Sequence, residues 1–343
     1  MSRERAAAPP ERRETALPPA RGPISEQVVS CLSGPLRALT GLPGPAADPL
    51  ADDDLQLALY LCYELHYGSL DGVDDAWEWE PSLLALRREL ESRFEQGLVG
   101  AVGEPSSDPI DVVAALRRAM EGDEGPSLSQ FLERSASIEQ FREFLVHRSA
   151  YQLKEADPHT FAIPRLGGAP KAALVEVQAD EYGGGMPDRM HSTLFAKAMR
   201  ALGLDATPGA YLYRIPGLTL ATVNLVSMFG LHRRWRGAAA GHLAVFEWQS
   251  AIPNRRYGNG LRRLGLGEDA TDFFDEHVEA DSVHEMIAMY DLAESLAEQE
   301  PDLAGTIVFG GRALLELERR FAAHVLSSWD ADRSSLLEEP PER

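Results

Sequence analysis

The stretch DATDFFDEHVEADSVHEMIAMYDL, Asp269 to Leu292, spaces its apolar residues by three and four and shows no alternating β-branched run. Such a pattern predicts a helix with one buried face. At about 100° per residue, Asp281 lies about 40° and His284 about 20° from His277, so the motif His277-x-x-x-Asp281-x-x-His284 projects from a single side. Phe273, Phe274, Ala280, Ala288 and Leu292 share that side, whereas Asp275, Glu279 and Ser282 lie opposite. The polar triad therefore sits on the apolar stripe, where two imidazoles and a carboxylate cost several kcal/mol unless they are paired or bind a metal. Taken alone, the motif fits either a solvated acidic helix that contains two histidines or a metal-binding face.

The same periodicity recurs from residue 24 onward and strand signals are nearly absent, so the expected fold is all-α. Helices are predicted over about 24–40, 52–67, 80–97, 108–122, 137–156, 169–182, 188–203, 216–231, 241–251, 270–297 and 301–328. Ser137 with Gln140 reads as a capping box opening the fifth of these, and Asp157-Pro158 as its stop. The longest uncharged stretch, Ile215 to Leu231, has 17 residues and carries two threonines, an asparagine and a serine, which suits a buried helix better than a membrane span.

The expected organisation is a disordered arm over 1–23, helices over 24–125 packed on a bundle over 126–328, and an acidic tail over 329–343 that frays. The arm mixes charges and prolines without an apolar core, so it does not read as a signal peptide. Across 343 residues, 54 acids against 33 basic side chains give a net charge of -21, which argues against binding nucleic acid or an anionic membrane surface. The two cysteines, Cys31 and Cys62, form no Cys-x-x-Cys pair, so neither a thiolate zinc site nor an iron–sulfur cluster has its ligands, and a reducing, cytoplasmic setting is expected.

A second polar set lies in VEVQADEYGGGMPDRMHSTLF, where Glu181, Asp188 and His191 follow an E-x₆-D-x₂-H pattern. Glu181 continues the apolar line of Leu174 and Val177, and His191 leads the line Leu194, Phe195, Ala198 and Leu202. Gly183, Gly184, Gly185 and Pro187 must interrupt the helix between them. A phosphate-binding loop would need a preceding strand and a following Lys-Ser/Thr, and has neither. In SIEQFREFLVHRSAYQLKEAD a third inward acid, Glu155, aligns with Phe141, Phe144 and Tyr151; a buried ion pair with Arg148 is its other reading.

Together Glu155, Glu181, Asp188 and Asp281 supply carboxylates, and His191, His277 and His284 supply imidazoles. Oxygen and nitrogen ligands without thiolate suit Fe(II), with Mn(II) as the alternative. Two divalent ions would neutralise four carboxylates and bring the chain from -21 toward about -17. Acids and histidines projecting inward from several helices are how carboxylate-bridged di-iron sites are built. Glu64 and His66 lie two apart and do not share a helix face. His159 reaches the face of Glu155 only if a helix crosses Pro158, and His232 and His242 have no assigned role.

Arg233, Arg234, Arg236, Arg255, Arg256, Arg262 and Arg263 form a basic stretch with only Glu247 among them, a local +6. Internal salt bridges are one reading; a clamp for a substrate carboxylate or a phosphopantetheine arm, centred on Arg233 and Arg234, is the other.

These motifs, in this order, make the sequence resemble the haem-oxygenase-like di-metal oxidases and oxygenases, the iron-containing redox enzymes. The similarity covers about residues 137–297, including EADPHTFAIPRLGGAPKAALVEVQADEYGGG and GLHRRWRGAAAGHLAVFEWQS. It implies a haem-oxygenase-like helix bundle and a metal set of Glu155, Glu181, Asp188, His191, His277, Asp281 and His284, with Asp188 where glutamate is commoner. It implies two Fe(II) per chain, no haem, and O2 activation to oxidise a small organic substrate: an amine, an amino-acid-derived group or a fatty acid. An external electron donor and a homodimer are compatible with it. Two other readings stay open on the same bundle, a non-catalytic ligand-binding or scaffold protein and a mononuclear or cofactor-free oxidase. A substrate pocket is expected beside the metals, lined by Phe195, Met199 and the 215–231 helix.

Overall fold

The computed structural model describes residues 17–35, 48–68 and 70–338, and at 281 and 282 only the backbone. Helices dominate and no β-strand is present among the described residues. The first helices are α1 (Pro23–Leu32), α2 (Asp53–Glu64), α3 (Pro81–Val102) and α4 (Val112–Glu121). Asp52 caps α2 through the Leu55 amide, while Asp54 accepts the amides of Ile24 and Ser25 at 2.9 and 2.6 Å and so caps α1 from a neighbouring helix. Residues 36–40 of the first predicted helix lie outside the described residues.

The bundle follows as α5 (Leu128–Arg134), α6 (Ile138–Gln152), α7 (Asp157–Thr160), α8 (Gly168–Glu181), α9 (His191–Ala201), α10 (Gly217–Leu231), α11 (Arg236–Arg263) and α12 (Glu268–Met286). A π turn, Ile287–Glu294, leads into α13 (Ser295–Gln299), and α14 (Ala304–Asp330) closes the chain. The Ser137–Gln140 capping box is formed at the start of α6. Helix α10 is buried on nearly every side, as expected of an uncharged segment at the centre of a helix bundle. No helix of the described residues is long and apolar enough to cross a membrane.

Two departures from the predicted helices bear on the site. Helix α11 runs through Pro253, where the sequence pattern suggested a stop; the ring removes one backbone donor and leaves the Gln249 carbonyl without its helical partner. Helix α6 ends at Gln152, so Glu155 lies on the turn before α7, next to Ala156 at φ 76°.

Helix α11 packs most extensively on α12 and α14, with α5 alongside. A Cβ on Gly241 would collide with the Ile307 carbonyl, and one on Gly310 with the Ala238 carbonyl, so α11 and α14 meet backbone to backbone. α2 lies against α10, and α3 and α4 lie along α14, which seats the N-terminal third on the bundle. The described part of the tail is docked rather than frayed: Ser335 donates to Glu143 at 2.8 Å and accepts from His147 at 3.0 Å, and Leu336 is buried. Two apolar clusters result, one including Val177, Ala244 and Ala288, the other Phe195, Phe273 and Phe274.

Candidate metal centre

Between these clusters lies a knot of buried acids and imidazoles. Glu181 is the last residue of α8 and His191 the first of α9. Gly183, Gly184 and Gly185 take φ of 66°, 60° and 83°, a left-handed path that reverses the chain between them. The reversal brings His191 Nδ1 to 2.8 Å from Glu181 Oε2. Asp188 is exposed on the same turn and belongs to neither group of clustered ligands; its neighbour Arg189 pairs outward with Glu276.

Glu155, Glu181, His191 and His277 present ligand atoms within 4.8 Å of one another, and Glu181, Glu247 and His284 form a second such group. The structure thus brings together five of the seven sequence-predicted ligands. Asp281 lies on α12, and its side chain is outside the described residues. Glu247 is the residue that sequence reasoning missed. It is the sole acid of α11 and follows Ala240, Leu243 and Ala244 on a buried stripe, a signal masked by the surrounding arginines.

Hydrogen bonds fix the imidazoles. His277 Nδ1 donates to the Phe273 carbonyl at 2.7 Å, which leaves Nε2 as the lone-pair nitrogen of the neutral ring, 3.6 Å from Glu155. His284 Nε2 donates to Asp180 at 3.0 Å, and its Nδ1 faces Glu247 at 3.6 Å and Glu181 at 3.9 Å. Outer-sphere acceptors that orient ligand imidazoles in this way are a regular feature of metal sites.

Burial, and then the neighbouring Glu181, push the Glu155 and Glu247 carboxyls above their usual range against the pull of nearby imidazoles. Burial opposes the charged form of His284, yet Glu247, Asp180 and Glu181 raise it to about 9. Neither Glu155 oxygen nor His284 Nδ1 has a hydrogen-bond partner, although all three atoms are buried. Unpaired polar atoms are costly in a protein interior, and a divalent cation that displaces the His284 proton relieves that cost. The donor set of carboxylates and imidazoles fits iron.

A chamber of about 170 Å³ adjoins the centre, walled by Phe144, Tyr151, Phe195, Phe246, Phe273 and Phe274 among others. Phe273 stacks obliquely on His277 with ring centroids 4.4 Å apart. Burial, and then Glu155, Glu181 and Glu247, hold the Tyr151 phenol well above its usual range, so it remains protonated. Phe195 lines the chamber as expected; Met199 and α10 do not, and α10 borders a side cavity of about 20 Å³.

The other candidates have structural roles. Arg148 pairs with Glu318 instead of Glu155, and Glu64 with Lys154. His66 meets Glu78, His232 meets Glu91, and His159 meets His242 at 3.2 Å. Arg233 and Arg234 do not line the chamber: Arg234 holds Glu95 through a forked pair. Arg236 and Arg262 pair with Glu300 and Asp275, so with Arg234 three of the seven arginines of the basic stretch are compensated by acids.

A family model described as iron-containing redox enzyme matches residues 142–319. A nitrosourea synthase from Streptomyces achromogenes subsp. streptozoticus is 27% identical over 162 residues, 47% of this chain and 34% of that protein. The chain thus spans about a third of the length of the curated relative it matches.

Proposed function

The chain belongs to the iron-containing redox enzyme family, which makes it an iron-dependent oxidoreductase, and we propose that it is a non-haem di-iron oxidase or oxygenase acting on a small organic substrate. The observation that carries this reading is Glu181, whose carboxylate serves both ligand groups at once. Glu155, His191 and His277 would hold one ion, Glu247 and His284 the other, and the resemblance adds Asp281. When bound, the iron pair supplies electrons for the reduction of O2.

The residues of the chain do the rest. The Phe273 carbonyl and the Asp180 carboxylate fix the tautomers of His277 and His284. Tyr151 keeps its proton beside the centre, and phenyl rings form much of the wall of the chamber where the substrate reacts. O2 and the substrate are the reactants this chemistry requires.

Anaerobic titration with Fe(II) tests the reading. Two irons per chain are expected, falling to one in Glu247→Ala or His284→Ala, with a transient visible absorption on exposure to O2. A protein that takes up no iron, or whose uptake ignores both substitutions, would be a ligand-binding or scaffold protein. One iron per chain in the wild type would make it a mononuclear oxidase.

A further inference from the structure

Outside the aromatic chamber lies an open cleft of about 500 Å³. The two spaces share Arg148, Gln249, Pro253, Tyr257 and Glu318, so these residues form the neck between them. At the neck, Arg148 donates to both oxygens of Glu318 at 2.8 and 2.6 Å. The Phe321 and Phe144 rings cover the guanidinium, with centroids 4.4 and 5.6 Å from its Cζ, leaving its edges for further bonding. Both side chains stay partly accessible, at 21% and 31%.

The pair is not saturated. A guanidinium has five N–H donors and Glu318 takes two; each Glu318 oxygen retains a second acceptor site. Farther out, Arg256 bonds the Ser127 and Ser129 hydroxyls at 3.3 and 3.1 Å, and no carboxylate partner for it is present among the described residues. The charged side chains lining the cleft balance: Glu121, Asp123 and Glu318 against Arg148, Arg256 and Arg319. A purely anionic or purely cationic head gains no net field here, whereas a head with both signs finds a partner for each. Inside the neck the chamber holds no other charged side chain, and a space near 150 Å³ accepts a benzene-sized body.

We infer that the neck is the substrate's head-group site and that the substrate is a zwitterionic α-amino acid with an apolar side chain of up to phenyl size. Its ammonium binds Glu318, its carboxylate binds Arg148 and Arg256, and its side chain enters the chamber toward Tyr151 and Phe273. Arg148 and Glu318 are then specificity residues, held ready by their own pairing. The inference rests on the proposed iron centre only in calling the ligand a substrate; the binding site stands on the chain's own side chains.

Calorimetry on the anaerobic Fe(II)-loaded protein tests it with L-phenylalanine, L-leucine, 3-phenylpropionate and phenethylamine. Both amino acids should bind, and loss of either charged group should weaken binding by about tenfold or more, as expected for an unpaired charged hydrogen bond. Arg256→Gln should weaken L-phenylalanine and 3-phenylpropionate while sparing phenethylamine. Glu318→Gln should bring 3-phenylpropionate level with L-phenylalanine; the doubly neutral Arg148→Gln/Glu318→Gln variant, which leaves neither member of that pair charged and alone, should likewise lose the preference for the zwitterion over 3-phenylpropionate, while Arg256 still favours L-phenylalanine over phenethylamine. Equal binding of L-phenylalanine and its two single-charge analogues, or no binding of either amino acid, overturns the inference. The same titrations on iron-free protein separate the two readings: iron uptake without discrimination sinks this one alone, and discrimination without iron uptake sinks the di-iron reading alone.

Discussion

His191 Nδ1 stands 2.8 Å from Glu181 Oε2 although ten positions separate the two residues, because three consecutive glycines fold the chain back in the left-handed region. The ligand pair is thus a product of turn geometry rather than of helical periodicity.

Gly183→Ala should disrupt that pair. Its Cβ would lie 2.6 and 2.7 Å from the backbone of Arg189 and Met190, whereas a Cβ on Gly184 meets nothing. Both substitutions carry the left-handed penalty of about 1 kcal/mol or more, but only Gly183→Ala forces the His191 strand of the turn outward. Iron content by plasma mass spectrometry should fall in Gly183→Ala and hold in Gly184→Ala.

Asp188 provides the complementary test. Being exposed and outside both ligand groups, it should be dispensable, so Asp188→Asn should keep wild-type iron content. Loss of iron in this variant would return Asp188 to the ligand set that the resemblance implies.

Ala156 follows Glu155 at φ 76°, a conformation that costs a residue with a Cβ roughly 1–3 kcal/mol. Ala156→Gly removes the penalty while freeing the unfolded chain. The expected net gain is up to about 1 kcal/mol, read as a rise in Tm of roughly 2 °C in differential scanning calorimetry.

The His159–His242 pair sets a pH dependence. Burial holds both rings neutral, with His242 lowered to about 3 and His159 also well below its usual range. The unfolded chain takes up protons near pH 6.5 that the folded chain refuses, so this contribution to stability is complete above pH 6.5 and is lost as pH falls toward 3. Each ring contributes a slope of up to about 1.4 kcal/mol per pH unit. Denaturant unfolding between pH 8 and 4.5 should give a shallower profile for His242→Gln than for the wild type, together with lower stability at pH 8.

Much of the architecture was legible because α8, α9 and α12 carry apolar stripes of period 3.6 and their candidate ligands fall on those stripes. Glu181, His191, His277 and His284 could be read that way. Asp188 departs from the pattern, because its spacing from His191 suggested one helix, yet Pro187 and the glycines put it on an exposed 3₁₀ turn. Glu247 was hidden because an acid among arginines reads as their counter-charge, and its true partners lie on α8 and α12. The Arg148–Glu318 neck joins residues 170 positions apart, a relationship that no local pattern contains.

The crossing of α11 and α14 carries a mechanical meaning. Where Gly241 and Gly310 let the two backbones touch, there is no layer of side chains to compress or slide, so Glu247 on one helix and Glu318 on the other are mounted on effectively one solid part. The separation between the candidate metal centre and Glu318 is then a fixed gauge, and under the proposed function it sets the length of substrate that the chamber accepts.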